Sequence, residues 1–222
     1  MTNIAGIKRP GSKDTFVPNK VMLHDQDQAM ILADPMNPNA VYKLDLETGT
    51  VTDEWKIGED IQIRNFMPDS KYAQQQGTQT FVGSSRNAVF RVDPRLGKSK
   101  LVDSSYKDYK SPFDFTAGVT TADGKLAFAT NKGEIKLFDR LGIRAKTAFA
   151  QIGQEISGID VTADGKYIVA TTRDRLLFID TSIKEGKNSG RTGCKLCFRF
   201  KKVPEMLTLL LFTSSRCCHS IW

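Results

Sequence analysis

The first 193 residues contain no cysteine, because all four cysteines fall in the last 29 positions. Histidine is equally scarce, and His24 is the only one in this main part of the chain. The sequence also has no nucleophile-elbow motif Gly-x-Ser-x-Gly and no glycine-rich phosphate loop. These absences predict that the chain is not an enzyme.

Long apolar runs are also missing. The most apolar stretch, residues 207–212, is interrupted by Thr208 and is far shorter than the roughly 20 residues that a membrane helix needs. The N-terminus has no continuous apolar core of the kind found in signal peptides. We therefore expect no transmembrane segment and a cytoplasmic location.

The net charge of +7 is not spread evenly along the chain. The last 29 residues carry five basic side chains against the single acid Glu205, and they supply more than half of the excess. A nucleic-acid-binding domain normally presents a concentrated basic face. The sequence therefore predicts no nucleic-acid partner, although a basic module that binds nucleic acid or lipid remains an alternative.

Short apolar runs that end in aspartate recur along the chain. Their spacing is 48, 46 and 41 residues, and each run is rich in the β-branched and aromatic residues typical of strands. The terminal residues are Asp45, Asp93, Asp139 and Asp180. A residue that recurs at one place in each repeat is better explained by a turn or cap than by catalysis.

The repeats predict a fold. Each unit has four strand-like segments, and LVDSS, residues 101–105, is the fourth of the second unit. In the last two units the turn Thr-Ala-Asp-Gly-Lys, at Thr121 and again at Thr162, separates the first segment from the second. Four short strands at this period are typical of a propeller blade. The predicted class is an all-β, WD-repeat-like β-propeller with a partial ring of about three to four blades. Propellers usually hold four to eight blades, so we expect a piece of a longer ring.

Aromatic side chains inside the predicted strands are expected to form the core between blades. They are Phe90, Phe128, Phe138, Tyr167 and Phe178. The innermost strands carry mainly small and hydroxyl side chains, which argues against the competing interpretation, a propeller hydrolase or lyase with its site in the central channel.

Several stretches resemble one known family. The sequence NKGEIKLFDRLG, followed closely by AKTAF, is not a motif of propellers in general. The Gly-His and Trp-Asp dipeptides of ordinary WD repeats are missing. Residues 25–193 resemble the C-terminal propeller of the vacuolar import and degradation family, member twenty-seven. The resemblance implies a cytoplasmic, non-catalytic scaffold for protein–protein interactions in vacuole-directed protein degradation.

Three regions follow from this resemblance. Residues 1–24 are a partly irregular lead-in, residues 25–193 are the partial propeller, and residues 194–222 are a basic, cysteine-rich tail that departs from the family pattern. This abrupt break predicts a truncated gene model with a shifted frame or an unspliced intron. The tail has enough ligands for zinc, but its Cys-Cys-His run lacks an intervening loop, so we predict no metal and no cofactor. The ligands are Cys194, Cys197, Cys217, Cys218 and His219.

Two repeats place basic residues in the loop after the third strand. If blades stack, these loops and the Ala-Asp-Gly-Lys turns emerge on one face. We call the set the basic ridge, and it would meet an acidic protein partner or, in a peripheral membrane contact, anionic headgroups. Solvated turns are the alternative explanation. The basic ridge consists of Arg95, Lys98, Lys100, Arg140, Arg144 and Lys146.

Overall fold

The computed structural model describes residues 6–182, apart from positions 59, 98, 146 and 150, together with the strand Phe198–Arg199. Within these residues the chain forms five antiparallel sheets and one short 3-10 helix, Asp103–Ser105. The predicted all-β class is confirmed.

A two-stranded hairpin precedes four sheets of four strands each, which we call blades 1 to 4. The hairpin consists of β1 (Ile7–Lys8) and β2 (Thr15–Phe16). Blade 1 consists of β3 (Lys20–His24), β4 (Ala29–Ala33), β5 (Ala40–Asp45) and β6 (Thr50–Lys56). Blade 2 consists of β7 (Asn65–Pro68), β8 (Phe81–Ser84), β9 (Ala88–Val92) and β10 (Lys107–Asp108).

The two remaining blades follow the same order, and in every blade each strand pairs with the next along the chain. Blade 3 consists of β11 (Phe115–Thr120), β12 (Leu126–Thr130), β13 (Ile135–Phe138) and β14 (Thr147–Phe149). Blade 4 consists of β15 (Ile156–Val161), β16 (Tyr167–Thr172), β17 (Leu176–Asp180) and β18 (Phe198–Arg199). Strand β18 lies within the segment that the sequence analysis sets apart as a tail.

The fourth strand of blade 2 is not where the sequence predicts it. The segment LVDSS, residues 101–105, contributes only an isolated bridge between Leu101 and Val92, and its last three residues form the 3-10 helix. Aspartate and serine favour such local turns because their side chains compete for nearby backbone groups. The strand forms instead at β10, where Lys107 lies opposite Val89.

Successive blades bury their apolar faces against each other, as propeller blades must. Ile31 and Trp55 of blade 1 pack with Phe81 and Phe90 of blade 2 in one cluster. Two further clusters fill the seams between blades 2 and 3 and between blades 3 and 4. The innermost strands β3, β7, β11 and β15 follow one another around an open arc.

The two ends of the arc differ. The N-terminal hairpin covers part of the outer face of blade 1, where the Phe16 ring lies 5.1 Å from that of Tyr42 and Arg9 pairs with the buried Asp34 at 2.6 Å. On the outer face of blade 4, Tyr167 and Phe178 stack on each other and stay 40% and 44% exposed.

The expectation that all five strand aromatics are core residues is therefore wrong for Tyr167 and Phe178. It holds for the other three, since Phe90, Phe128 and Phe138 are buried. The physical reason is position in the arc, because no blade within the described residues packs on the outer face of blade 4.

Candidate interaction face

The turn after the first strand of each blade and the loop after its third strand emerge at the same edge of the sheet, as an antiparallel meander requires. In blade 4 the Thr181 amide donates to Lys166 O at 2.8 Å, and in blade 1 the Leu46 amide donates to Gln28 O at 3.0 Å. We call this edge of the arc the loop face. It comprises residues 25–28, 46–49, 69–80, 93–97, 99–106, 121–125, 139–145 and 162–166.

Turns on the loop face are joined from blade to blade by backbone hydrogen bonds. Each bond runs from the amide of one turn to a carbonyl of the next, at 3.0 Å in all three cases. The pairs are Gln26 to Gln74, Lys71 to Thr121 and Ala122 to Ala163. The sequence predicts only the hairpin role of Thr-Ala-Asp-Gly-Lys, because no local signal reveals partners that lie 41 and 50 residues away, as Ala163 does from Ala122 and Lys71 from Thr121.

In the turn of blade 4, residues 162–166, a single threonine organises the chain reversal. The Thr162 hydroxyl donates to Asp164 Oδ1 at 2.6 Å, and its Oγ1 accepts from the Tyr167 amide at 3.1 Å. Gly165 has a φ of 72°, a left-handed conformation that glycine adopts without a Cβ clash. The Asp164 carboxylate also accepts the Lys166 amide at 3.1 Å.

These donors change the acidity of Asp164. The Thr162 hydroxyl is the largest influence, followed by the Lys166 amide, and together they lower the pKa of Asp164 to about 2. The folded-state pKa lies below the ordinary value of 3.8. The contribution of this carboxylate to stability is therefore complete above about pH 4 and is lost as the pH falls through about 2.

Replacing the hydroxyl tests this assignment. We expect Thr162→Val, which keeps the shape and removes the donor, to raise the pKa of Asp164 toward 3.8. Carboxyl ¹³C chemical shifts followed from pH 1.5 to 6 would measure it. A Thr121→Val variant, altered in the equivalent turn of blade 3, should leave the Asp164 titration where it is. An unchanged midpoint in Thr162→Val would contradict the role given to the hydroxyl.

Three of the four strand-end aspartates cap turns, as the sequence predicts. The carboxylates of Asp45, Asp93 and Asp180 each accept the backbone amide two residues further on, at distances of 3.1, 3.0 and 2.9 Å. The Thr48 hydroxyl lowers the pKa of Asp45, and the Arg95 guanidinium lowers that of Asp93.

Two members of the basic ridge brace their own loop. Arg95 makes a two-point contact with Asp93, through Nε at 2.9 Å and a terminal nitrogen at 2.8 Å, and this carboxylate raises the pKa of Arg95. The Lys100 ammonium donates to the carbonyls of Pro94 at 2.8 Å and Leu96 at 2.6 Å. Both charges are thus largely engaged within residues 93–100.

The second basic loop is different. Arg140 and Arg144 are exposed, and neither forms an ion pair within the part of the chain that the structure describes. Both lie on the loop face, in the loop after the third strand of blade 3. This loop is equivalent to the Arg95 loop of blade 2. The other two predicted ridge residues, Lys98 and Lys146, lie outside the described residues.

A recess on the loop face brings Arg140 next to a residue that the sequence analysis does not identify. Arg91 of blade 2 and Arg140 of blade 3 line one cavity of about 330 Å³, together with Ser104 and Ser105. Arg91 Nε donates to Asp69 Oδ1 at 3.0 Å. An outward-pointing arginine in a strand carries no local signal of such a role, because its partner Asp69 lies 22 positions away.

The central channel offers little that resembles a catalytic site. A cavity of about 300 Å³ on its wall is lined mainly by apolar and small residues, with Lys71 paired to Asp160 at 2.8 Å. His24 is buried against Trp55 and Phe81, and burial lowers its pKa. That environment is typical of a packed core histidine rather than a proton carrier open to substrate.

The described residues contain neither a cluster of metal ligands nor a membrane-spanning helix. Among them, no three His, Cys, Asp or Glu side chains cluster closely enough to hold a metal ion. The zinc-type ligands Cys194, Cys197, Cys217, Cys218 and His219 lie outside them, so the predicted absence of metal and cofactor stays a prediction. Across the same residues, no helix is long and apolar enough to span a bilayer.

Four-stranded meanders that bury their faces on one another define a WD40-like β-propeller, here an open arc of four blades. Residues 1–218 match the family described as the VID27 C-terminal WD40-like domain, and the chain belongs to that family. The match includes part of the segment after residue 193, and the division of the chain at that point stays a prediction.

Two relatives carry the name vacuolar import and degradation protein 27. The Schizosaccharomyces pombe protein is 43% identical over 210 residues, which cover 95% of this chain and 26% of that protein. The Saccharomyces cerevisiae protein is 44% identical over 191 residues, covering 86% and 24%. The chain thus spans about a quarter of the length of these relatives.

A solved structure supports the fold. The crystal structure of Chaetomium thermophilum Raptor matches with a TM-score of 0.58 at 13% identity, over 72% of this chain and 14% of that one. At this level of identity, the likeness concerns the propeller architecture alone.

Proposed function

We propose that the chain is a non-catalytic, cytoplasmic scaffold that binds a protein partner through its loop face, in vacuole-directed protein degradation. The observation that carries this proposal is the second basic loop, where Arg140 and Arg144 are exposed on the same face as turns that are tied together from blade to blade. A rigid platform with accessible guanidinium groups suits recognition of an acidic surface. The names of the two relatives supply the link to vacuolar degradation.

The alternatives have weaker support. A channel enzyme would need converging polar groups, and the channel-wall cavity presents one ion pair, Lys71 with Asp160, among mostly apolar residues. A nucleic-acid-binding module would need a continuous basic face, whereas the charges of Arg95 and Lys100 are engaged in their own loop.

Charge reversal on the loop face tests the scaffold. We expect the double variant Arg140→Glu and Arg144→Glu to lose most of the partner captured by the wild-type chain, by tenfold or more, because two attractive charges become repulsive. The matched control reverses Arg173 and Arg175, which are also exposed but lie in the turn after the second strand of blade 4, at the opposite edge. Quantitative mass spectrometry of captured proteins gives the ratio.

The same two variants, expressed in cells, would address the degradation role through the half-lives of proteins delivered to the vacuole. Slower turnover with the loop-face variant alone would support it. Equal losses of partner in both double variants would contradict a specific loop-face interaction, and unchanged capture in both would refute the basic loop as a contact.

A further inference from the structure

The recess between blades 2 and 3 has the chemistry of a phosphate site. It has a volume of about 330 Å³ and is lined by Arg91, Arg140, Ser104 and Ser105, with a glycine-containing loop on one side. Two guanidinium groups from different blades therefore face one space, and two hydroxyl side chains line the same space. Hydrogen-bond donors of this kind, with positive charge and no carboxylate in the lining, favour an anion.

Each arginine is presented differently. Arg91 is held by Asp69, which accepts from Nε at 3.0 Å and leaves the terminal nitrogens of the guanidinium for another acceptor. Its side chain is 40% exposed. Arg140 has no carboxylate partner in the described part of the chain, so its whole fork of donors is available.

The loops that carry these groups touch each other. Gly142 has a φ of 79°, and a Cβ placed on it would lie 3.2 Å from Ser104 O. The loop that follows Arg140 therefore runs directly against the backbone of the 3-10 helix, and this contact fixes the width of the recess. Within the described residues, neither serine hydroxyl has a hydrogen-bond partner.

We propose that this recess binds the phosphate group of a phosphorylated side chain on a peptide partner. Arginine matches a phosphate with two parallel hydrogen bonds, and a serine hydroxyl adds a third donor. The proposal rests on the proposed function, because it names the chemistry by which the loop face recognises its partner.

The surroundings favour a peptide over a membrane surface. The exposed residue Asp103 is the sequence neighbour of Ser104, and its carboxylate repels a uniformly anionic bilayer. A single phosphate on a peptide enters a recess of this size while a basic residue of the peptide meets the Asp103 carboxylate. An anionic membrane instead requires a broad surface of like charge.

Binding of a short phosphopeptide tests the proposal. The probe is the labelled peptide Gly-Gly-phosphoserine-Gly-Gly with blocked ends, titrated with the full chain and followed by fluorescence anisotropy, with the unphosphorylated peptide alongside. We expect Arg140→Gln to weaken binding about tenfold or more, because it removes a charge-assisted pair of hydrogen bonds. The matched control Arg144→Gln makes the same charge change four positions away, outside the recess, and should change affinity less than about twofold.

A second variant, Ser104→Ala, keeps the test independent of any one arginine and should weaken binding by about threefold. Equal losses in Arg140→Gln and Arg144→Gln would overturn the site in favour of diffuse charge attraction. So would equal affinity for the phosphorylated and unphosphorylated peptides. If the chain does not bind the peptide but sediments with phosphatidylserine vesicles in a way that depends on Arg140, the ligand of the recess is a membrane surface and the phosphopeptide proposal is wrong. If the recess does not bind the phosphopeptide, the result of the partner-capture experiment is unaffected. The two proposals can therefore fail separately.

Discussion

Phe128→Ala is expected to lower the free energy of unfolding by about 3–5 kcal/mol, the range for deleting a fully buried phenyl ring. Phe128 has no exposed surface, and its ring centre lies 5.2 Å from that of Phe115 and 5.7 Å from that of Phe138. The cluster fills the seam between blades 2 and 3, so the cavity would open where two blades are held together. Urea unfolding followed by circular dichroism measures the loss.

Phe178→Ala is the matched control, because it deletes the same atoms from a strand of the neighbouring blade. Phe178 is 44% exposed and its stacking partner is Tyr167, itself 40% exposed. We expect a loss of about 1 kcal/mol, from partial burial and one ring contact. A loss as large as that of Phe128→Ala would show that something covers the outer face of blade 4 in solution.

This pair of residues also shows where sequence reasoning stops. Strand positions and turns are local properties, so alternating apolar residues and Asp-Gly turns locate strands such as Lys20–His24 and Tyr167–Thr172 without any tertiary information. Whether a strand aromatic is buried depends on the neighbouring blade. Phe128 is covered by residues of blade 2, whereas no blade within the described residues packs on the face of blade 4 that carries Phe178.

The candidate site can also be predicted only in part from the sequence. The sequence places Arg95 and Arg140 in equivalent loops, but it does not separate their roles. A usable signal exists: Arg95 lies two positions after Asp93, where both its amide and its guanidinium reach the carboxylate. Arg140 directly follows Asp139 and does not have that spacing.

Arg91 and Ser104 are functional candidates that the sequence analysis misses, because they come together with Arg140 only through the stacking of two blades. The sequence also predicts that the Ser104 segment, residues 101–105, is the fourth strand of blade 2, whereas this strand forms at Lys107–Asp108. An error in one loop therefore concealed the wall of the recess.

Gly133→Ala is expected to cost about 3 kcal/mol of unfolding free energy, the sum of a left-handed backbone and a steric clash. Gly133 has a φ of 78°, and an added Cβ would lie 2.3 Å from Ile152 Cγ1 and 2.4 Å from the backbone oxygen of Gln154. A side-chain tip can rotate away, but a carbonyl can move only with its chain. The amide of Gly153 donates to Lys132 O at 3.2 Å, so this chain is tied to the same turn.

Gly124→Ala separates the two causes. Gly124 has nearly the same φ, 74°, but the atom closest to its added Cβ is Asp69 O at 3.5 Å, an ordinary contact. It should therefore lose only the conformational part, about 1 kcal/mol. Thermal and urea unfolding of both variants would give the difference, which measures how rigidly the entry to blade 4 is held against blade 3. Equal losses would mean that residues 151–154 yield, and that the seam between these blades is held by the buried cluster of their strands instead of by the turn.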